Sequence, residues 1–297
     1  MPGTPLSRAW RDTAQALRDA GLEFGQGTED AEQEAAWMLI HSLGWPLLES
    51  FAQWPRLQRR VVPAPALERL RGLLAERVRS RRPLAYLLGE AWLQGRRFVV
   101  DERSIVPRSL IAELLEHGLD PWLAQAPRRI ADICTGGGSL AVLAAHRWPQ
   151  AQVSAADLSA PALELARANV RLHGLQDRVQ VSMGDLFEAF DAEARFDLVL
   201  CNPPYVNAAS MAALPREFRH EPALALAGGS DGMQLVRRLL EQAPRYLAPG
   251  GVLVVEIGHE RAHFESAFPT LPVVWLPVSA GSDAVFLVEA GALGCPR

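Results

Sequence analysis

The regular alternation of strand-like and helix-like segments from about residue 128 onward constrains the fold of this chain most strongly. Short apolar runs alternate there with segments of helical spacing, such as Ser159–His173 and Asp231–Leu247. Alternation of this kind predicts an α/β fold with a doubly wound, mostly parallel sheet. Seven strands are predicted: Arg129–Cys134, Gln152–Leu158, Val179–Asp185, Phe196–Cys201, Gly251–Ile257, Val273–Val278 and Ala284–Val288.

The last two of these strands are separated only by Ser279–Asp283, so we expect them to form an antiparallel hairpin. In doubly wound sheets, ligands bind beyond the carboxyl ends of the strands, where the strand order reverses. We expect the first and fourth predicted strands to be neighbours across that point.

The N-terminal region has a different pattern, which predicts a small helical domain at residues 1–80. One helix contains Leu6 and ends before Gly21, a second runs from Thr28 to near Gly44, and a third includes Leu70. A packing or dimerisation role and a substrate-docking role both fit such a domain, and the sequence leaves them open.

Residues 81–125 are predicted to connect the two parts. The run Leu93–Val100 suggests two short strands around a turn that contains Gly95. A helix through Leu110, Leu114 and Leu115 follows. The predicted organisation is therefore a helical substrate-docking domain (1–80), a hairpin and linker (81–125), and the α/β domain (126–297).

The composition describes an ordinary globular protein. At 297 residues the chain is long for one hydrophobic core, and its net charge of -4 argues against a large nonspecific nucleic-acid surface. Its cysteines, Cys134, Cys201 and Cys295, lack CxxC spacing, which fits a reduced cytoplasmic protein without a zinc site. A signal-peptide pattern and an apolar run of membrane-spanning length are both missing, so we expect no membrane partner.

The sequence Asn202-Pro203-Pro204-Tyr205, named the lip below, directly follows the strand Phe196–Cys201. Neither proline can continue a sheet ladder, and the residue before a proline is held in an extended conformation. The strand therefore ends with Asn202 in one fixed backbone state. The alternative interpretation is a proline turn that merely ends a strand.

A stiff segment of this kind can bind a small planar NH₂ group. The carboxamide oxygen of Asn202 and the carbonyl of Pro203 would each accept one N–H, and Tyr205 would stack on the flat face of the group. Asn202, Pro203 and Tyr205 are the predicted catalytic residues, and Pro204 completes the predicted substrate-binding set.

A glycine-rich loop at the end of the first strand predicts a nucleotide-like cofactor. Glycines let the backbone approach a ligand closely, and acids at the ends of the next two strands can accept hydrogen bonds from it. Asp157 would accept the ribose hydroxyls, and Asp185 would accept from an adenine amine. The predicted cofactor-binding residues from this pattern are Thr135, Gly136, Gly137, Gly138, Asp157, Asp185 and Asn202.

The spacing Gly136-x-Gly138-x-x-Ala141 also fits the dinucleotide fingerprint, so a nicotinamide dehydrogenase is an alternative. A dinucleotide would need a second binding segment after the fourth strand, where the lip stands. A mononucleoside cofactor with a reactive group facing the lip fits better, and S-adenosylmethionine is such a cofactor.

Two other motifs are assigned no catalytic role. His259-Glu260-Arg261-Ala262-His263 has the zincin spacing, but no downstream third ligand follows, so we interpret it as the start of a short surface helix. Cys134 and Cys201 both lie at strand ends and are expected to be close together as buried thiols. No metal is expected.

Taken together, these motifs resemble the class I S-adenosylmethionine-dependent methyltransferases, and among them the protein-glutamine methyltransferases that act on the translation apparatus. The resemblance covers the C-terminal two-thirds and rests on five segments: Val106–Ser109, Asp132–Gly138, Asn202–Tyr205, Arg219–Pro222 and Gly228–Met233.

This family has two branches, which modify peptide-chain release factors or the large-subunit ribosomal protein L-three. The segments Pro83–Leu87, Ala91-Trp92 and Gly281–Phe286 are similar to the ribosomal branch. Two positions depart from its pattern: Gly137-Gly138-Ser139 is an unusual glycine loop, and Leu110 replaces an expected proline. Neither change removes a group that the chemistry needs.

The resemblance implies a seven-stranded methyltransferase sheet and transfer of a methyl group to a glutamine side-chain amide nitrogen, with S-adenosylhomocysteine as the product. It adds Leu186 to the cofactor-binding residues and suggests Arg108 and Glu221 as substrate or supporting contacts. The implied partner is the ribosomal protein, free or in an assembly intermediate. Release-factor methylation, methylation of a nucleic-acid base amine and a non-catalytic ribosome-binding adapter are the alternatives.

Overall fold

The structure, a computed structural model, describes residues 4–294, with the side chain of His117 left out. Cys295 lies outside the described residues. The chain divides into two compact units. The first unit ends at Ala91 and also contains Pro215–His220, and the second comprises Trp92–Leu214 and the chain from Glu221 onward. The three-part division expected from the sequence stays a prediction.

The first unit is helical. Its helices are α1 (Leu6–Asp19), α2 (Ala31–Leu43), α3 (Leu47–Ala52), α4 (Trp54–Leu57), α5 (Ala64–Ser80) and α6 (Leu84–Leu88). Two short strands, β1 (Thr4–Pro5) and β2 (Val61–Val62), pair antiparallel. The prediction that α2 begins at Thr28 is wrong by three residues. Asp30 is its N-cap and accepts a hydrogen bond from the Gln33 N–H, so the helix begins at Ala31.

A buried ion pair joins α2 to α5 within this unit. The Arg77 guanidinium lies 2.8 Å from the Glu34 carboxylate, and the two side chains are 1% and 3% exposed. Burial raises the pKa of Glu34, whereas the neighbouring Arg77 lowers it. The segment Pro215–His220 joins the same unit through an ion pair of 2.8 Å between Arg81 and Glu217.

The remaining strands include a two-stranded sheet and a seven-stranded sheet. They are β3 (Glu90–Leu93), β4 (Arg96–Val99), β5 (Arg129–Ile133), β6 (Gln152–Asp157), β7 (Val179–Met183), β8 (Phe196–Cys201), β9 (Leu247–Glu256), β10 (Val274–Trp275) and β11 (Val285–Glu289). The helices are α7 (Ile111–His117), α8 (Ser139–Arg147), α9 (Ala160–Leu172), α10 (Ala208–Ala212), α11 (Gln234–Gln242) and α12 (Arg261–Ala267).

The large sheet has the strand order β10-β11-β9-β8-β5-β6-β7. The five strands from β5 to β9 pair in parallel, and β11 pairs antiparallel with both β9 and β10. The predicted seven-stranded, mostly parallel sheet is therefore confirmed, and so are the final hairpin and the two-stranded sheet of β3 and β4. The chain leaves β5 toward β6 and β7 and later returns to β8 on the other side of β5, so the strand order reverses between β5 and β8.

The predicted helix Asp231–Leu247 is wrong at both ends. The Asp231 carboxylate accepts the Met233 N–H in a turn, and α11 begins only at Gln234. Pro244 has no N–H to continue the helix, so only a short 3₁₀ turn follows. Leu247 then begins β9 and pairs with Phe196 of β8.

The strand predicted at Val273–Val278 is also too long, because β10 contains only Val274 and Trp275. Pro277 cannot donate to a ladder, which limits the pairing. Strand β5 ends before Cys134, whose backbone has a φ of 58°, and β7 ends at Met183, two residues before Asp185.

The core of the second unit lies around β5, β8, β9 and β11. The runs Leu198–Cys201 and Val252–Val255 are almost completely buried. Strands buried in this way read as continuous apolar runs, which is why the sequence identified them. Within residues 4–294, no helix has the length and apolar character needed to cross a bilayer.

Candidate active site

The second unit contains a cavity of about 270 Å³ at the carboxyl ends of β5, β6 and β8. Its wall includes six residues that the sequence predicted: Gly136, Asp157, Asp185, Leu186, Asn202 and Pro204. Five predicted residues are not part of that wall: Thr135, Gly137, Gly138, Pro203 and Tyr205. The glycine loop and Asn202 therefore face one cavity, as expected for the two sides of a strand-order reversal.

The glycine loop is held by hydrogen bonds from both of the adjacent strands. The Gly136 N–H donates to Asp157 Oδ2 over 2.8 Å, and the Thr135 hydroxyl donates to Asp132 Oδ2 over 2.5 Å. Gly136 and Gly138 have φ values of 53° and 81°, which favour glycine. Gly138 is also the N-cap of α8, so the loop leads directly into that helix.

Asp132 supports the loop from below. Its Oδ2 atom also accepts the Ala141 N–H of α8 over 2.9 Å, whereas its Oδ1 atom has no partner among the described residues. The residue is 1% exposed, and burial raises the pKa of its carboxyl to about 7. Asp132 therefore serves as a scaffold for the loop and the start of α8.

Asn169 of α9 is a site residue that the sequence analysis missed. Its side chain is fully buried, and its amide donates to the carbonyls of Gly137 (2.8 Å) and Val99 (3.0 Å). Its carbonyl oxygen accepts the Val99 N–H over 2.7 Å. The sequence did contain a signal for it. Asn169 is a polar residue on the apolar face of α9, between Ala166 and Val170, and a polar side chain in that position needs buried hydrogen-bond partners.

Both acids that the sequence assigned to the cofactor are already hydrogen-bonded. Asp157 accepts the N–H groups of Gly136 and Ser159, one on each oxygen, at 2.8 Å. The Leu158 N–H also bonds to this carboxylate, and a carboxylate has about four acceptor positions, so it keeps room to accept from a ligand. Burial raises the pKa of Asp157. Asp185 forms an ion pair of 2.8 Å with Arg238, and both residues line the cavity.

The lip begins where the sequence placed it, immediately after β8. The Asn202 side chain is half-buried in the cavity wall, and its carboxamide has no hydrogen-bond partner among the described residues. Pro203 is buried beneath it. The Asn202 carboxamide oxygen can therefore accept from a ligand, and Gln234 contributes a second carboxamide to the wall.

Tyr205 lies farther along the lip, and its hydroxyl donates to Glu256 Oε1 over 3.3 Å. Burial and the nearby Glu256 carboxylate raise the pKa of this hydroxyl. Glu256 ends β9 and also accepts the Ser109 hydroxyl over 2.6 Å. The sequence analysis missed Glu256, although a glutamate within the apolar run Gly251–Ile257 was a visible signal.

Arg108 and Glu221 form a two-pronged ion pair, with distances of 2.5 Å and 2.8 Å between their nitrogen and oxygen atoms. Glu221 also accepts the Val106 N–H over 3.0 Å. The pairing connects two segments that are over 100 residues apart in sequence and gives both residues a defined structural role.

The two motifs without an assigned catalytic role occupy structural positions. Glu260 is the N-cap of α12 and accepts hydrogen bonds from Asn207 and His263, which confirms the predicted start of a short helix. Cys134 and Cys201 lie close enough to share a hydrogen bond, and burial raises the pKa of Cys201. Across residues 4–294 there is no group of three acidic, His or Cys side chains that could hold a metal ion.

Two family models match the chain, one in its N-terminal and one in its central segment. A family model described as "Methyltransferase small domain" matches residues 111–230, and one described as "PrmC N-terminal domain" matches residues 9–89. Among solved structures, the hMettl16 catalytic domain in complex with the MAT2A 3′UTR hairpin 6 has a TM-score of 0.52 at 16% identity. That match covers 78% of this chain and 84% of the other, and it shows the fold alone.

Curated relatives are far more similar. The ribosomal protein uL3 glutamine methyltransferase of Bordetella pertussis is 52% identical, and the match covers 94% of this chain and 92% of the relative. Proteins of the same name from Burkholderia pseudomallei and Neisseria gonorrhoeae are 46% and 43% identical, with 95% and 96% of this chain and 94% of each relative covered. The resemblance found in the sequence is confirmed, and the chain belongs to the family of ribosomal protein uL3 glutamine methyltransferases.

Proposed function

We propose that this enzyme transfers a methyl group from S-adenosylmethionine to the side-chain amide nitrogen of a glutamine in ribosomal protein uL3. The relatives at 43–52% identity carry that name. The observation that carries the proposal is the available Asn202 carboxamide, which faces the glycine loop and Asp157 in one cavity.

The residues of the cavity fit the methyl donor. Asp157 can accept from the ribose hydroxyls, and Gly136 lies beside it in the cavity wall. Asp185 and Leu186, at the end of β7, provide an acceptor and an apolar face for adenine. When bound, S-adenosylmethionine supplies an electrophilic methyl group on a sulfonium.

The lip orients the acceptor. A glutamine amide nitrogen is a poor nucleophile because its lone pair is delocalised into the carbonyl. The Asn202 oxygen and the Pro203 carbonyl each accept a hydrogen bond from one N–H of this amide. These two bonds fix the plane of the amide and stabilise the positive charge that develops on its nitrogen. Tyr205 lies outside the cavity wall and anchors the end of the lip through its hydroxyl bond to Glu256, and Pro204 keeps the segment rigid. The surplus proton leaves to water after transfer.

Preorganised acceptors of this kind contribute several kcal/mol when water is excluded. Alignment of the nitrogen with the methyl carbon at roughly 3–3.5 Å supplies much of the remaining rate acceleration. No strong general base is needed, because the sulfonium is a good leaving group.

The proposed partner is uL3, either free or within an assembly intermediate of the large subunit, and the proposed location is the cytoplasm. The experiment combines the enzyme with methyl-labelled S-adenosylmethionine and three acceptors: purified uL3, large-subunit assembly intermediates and release factors. Mass spectrometry then locates the label. Label on a uL3 glutamine supports the proposal, whereas label on release factors alone would replace uL3 as the substrate.

A further inference from the structure

Glu256 is a buried carboxylate at the edge of the active site. It is the last residue of β9, and only 3% of it is exposed. Because Val255 pairs with Cys201 in the parallel ladder, Glu256 lies beside Asn202 at the carboxyl ends of neighbouring strands. A buried charge is costly unless hydrogen bonds compensate it, so its contacts indicate what it does.

Hydrogen-bond donors from two separate segments converge on this carboxylate. Its Oε2 atom accepts the Ser109 hydroxyl over 2.6 Å and the Leu110 N–H over 2.9 Å, and its Oε1 atom accepts the Tyr205 hydroxyl over 3.3 Å. Glu256 therefore ties the aromatic end of the lip to the segment that precedes α7.

Tyr205 is also confined by neighbouring backbone. A Cβ atom on Gly258 would lie 2.7 Å from Cε2 of the tyrosine ring, and a Cβ atom on Gly232 would collide with the Tyr205 carbonyl oxygen. The ring and the carbonyl of Tyr205 thus each lie close to a different glycine, and Glu256 supplies the contact to the hydroxyl.

The position of Tyr205 sets the position of Asn202. Only Pro203 and Pro204 separate them, and proline fixes its own φ while restricting the residue before it. A shift of the tyrosine is therefore transmitted along the lip rather than absorbed by it.

We propose that Glu256 is a positioning residue for methyl transfer, which acts through the Tyr205 hydroxyl to hold the lip in its reactive arrangement. This inference rests on the proposed function of the lip. Glu256 touches neither the methyl donor nor the acceptor amide in this assignment, so its contribution is to kcat and not to the binding of S-adenosylmethionine.

A double-mutant cycle tests the inference. Because a misplacement of about 1 Å can cost roughly 100-fold in rate, we expect Glu256→Ala and Tyr205→Phe each to lower kcat about 10-fold. Both substitutions remove the same hydrogen bond between Tyr205 and Glu256, so kcat of the double variant should also fall about 10-fold. Independent effects would multiply to a fall of about 100-fold. The dissociation constant for S-adenosylmethionine, measured by calorimetry, should stay within about twofold of wild type.

Two further variants separate positioning from general stability. Glu256→Gln keeps an acceptor for the Leu110 N–H and a donor for the Tyr205 oxygen, so it should restore most of kcat. Ser109→Ala removes one donor to Glu256 without touching Tyr205, so it should lower the melting temperature but leave kcat near wild type.

Three results would overturn the inference: multiplicative effects in the double variant, wild-type kcat in Tyr205→Phe, or equal losses of kcat in Ser109→Ala and Glu256→Ala. If Glu256→Ala does not fold, kcat of Glu256→Gln is compared with kcat of Tyr205→Phe. A kcat near wild type in the first variant and a loss of about 10-fold in the second support the inference, and any other result overturns it. Absence of transfer to uL3 by the wild-type enzyme would instead refute the proposed function, and this inference with it.

Discussion

The two walls of the active-site cavity are built in opposite ways. On the cofactor side, the glycine loop donates hydrogen bonds to Asp132 and Asp157 and accepts one from Asn169. On the lip side, two prolines make the backbone stiff, and the Asn202 carboxamide has no partner among the described residues. The first wall is organised by the protein's own hydrogen bonds, whereas the second leaves its main acceptor without such a bond, and in the proposed function this acceptor binds the substrate amide. Cofactor affinity and methyl transfer should therefore respond to different substitutions.

The largest expected effect is on the lip. Asn202→Ala removes an acceptor for the developing charge, so kcat should fall about 100- to 1,000-fold. The affinity for S-adenosylmethionine should be nearly unchanged. Label transfer to uL3 and calorimetry measure the two quantities.

The control is Asn207→Ala, which removes the N-cap of α10 and the bond to Glu260 but leaves Asn202 intact. It should cost about 1 kcal/mol of stability and little activity. Equal losses of transfer and cofactor affinity in Asn202→Ala would show that the two walls are not separable.

On the cofactor side, Asn169→Ala should lower the free energy of unfolding by about 3 kcal/mol. The substitution leaves the Gly137 carbonyl and both backbone groups of Val99 without their partner in a partly buried position. Urea denaturation measures the loss. Asn169→Asp should be destabilising too, since it keeps the acceptor but loses both donors; wild-type stability in either variant would contradict the assigned role.

Asp157→Asn should weaken cofactor binding about 10- to 100-fold, because an amide has one acceptor oxygen where the carboxylate has two. Transfer at saturating S-adenosylmethionine should change much less. Asp197 offers a matched control at the other end of the sheet, where it accepts the N–H groups of Arg128 and Arg129. If Asp197→Asn weakens cofactor binding equally, the effect is global.

The smallest expected effect for a single step, on the order of 1 kcal/mol for one pH unit, is a pH dependence of stability from Asp132. Its pKa in the folded protein is about 7, above the ordinary 3.8. The folded state therefore binds more protons than the unfolded state between these values, and stability should fall as the pH rises toward 7, by on the order of 1 kcal/mol per pH unit.

Asp132→Asn should remove this slope from urea denaturation profiles. Asp231 provides a contrast of opposite sign, because its hydrogen-bonded ion pair with Arg237 lowers its pKa to about 2. Stability from Asp231 is lost only as the pH falls below about 4. An unchanged slope in Asp132→Asn would assign the dependence to other buried carboxyls, such as Glu256.

The centre of the sheet was predictable because strands β8 and β9 contain long, completely buried apolar runs. Phe196–Cys201 was correct at both ends, since the apolar run fixes its start and the prolines fix its end. The errors occur where a local competitor acts: Pro244 ends α11 early, and Pro277 shortens β10. That the glycine loop and Asn202 lie at the same cavity was predicted from the strand order alone.

The supporting residues of the site were harder to predict. Asn169 and Glu256 act on backbone or side-chain groups about 30 to 150 residues away in sequence, and such pairings have no local pattern. Each leaves only a weak trace, namely a polar residue in an otherwise apolar stripe. The pairing of Asp185 with Arg238 likewise depends on the fold, because 53 residues separate the two.

The thiol of Cys134 has a practical consequence. It lines the cavity, whereas its neighbour Cys201 is completely buried. We expect a small alkylating reagent that enters the cavity to modify Cys134, and a bound ligand to slow that reaction. The rate of carbamidomethylation of the peptide that contains Cys134 would then report ligand occupancy without turnover or an engineered label.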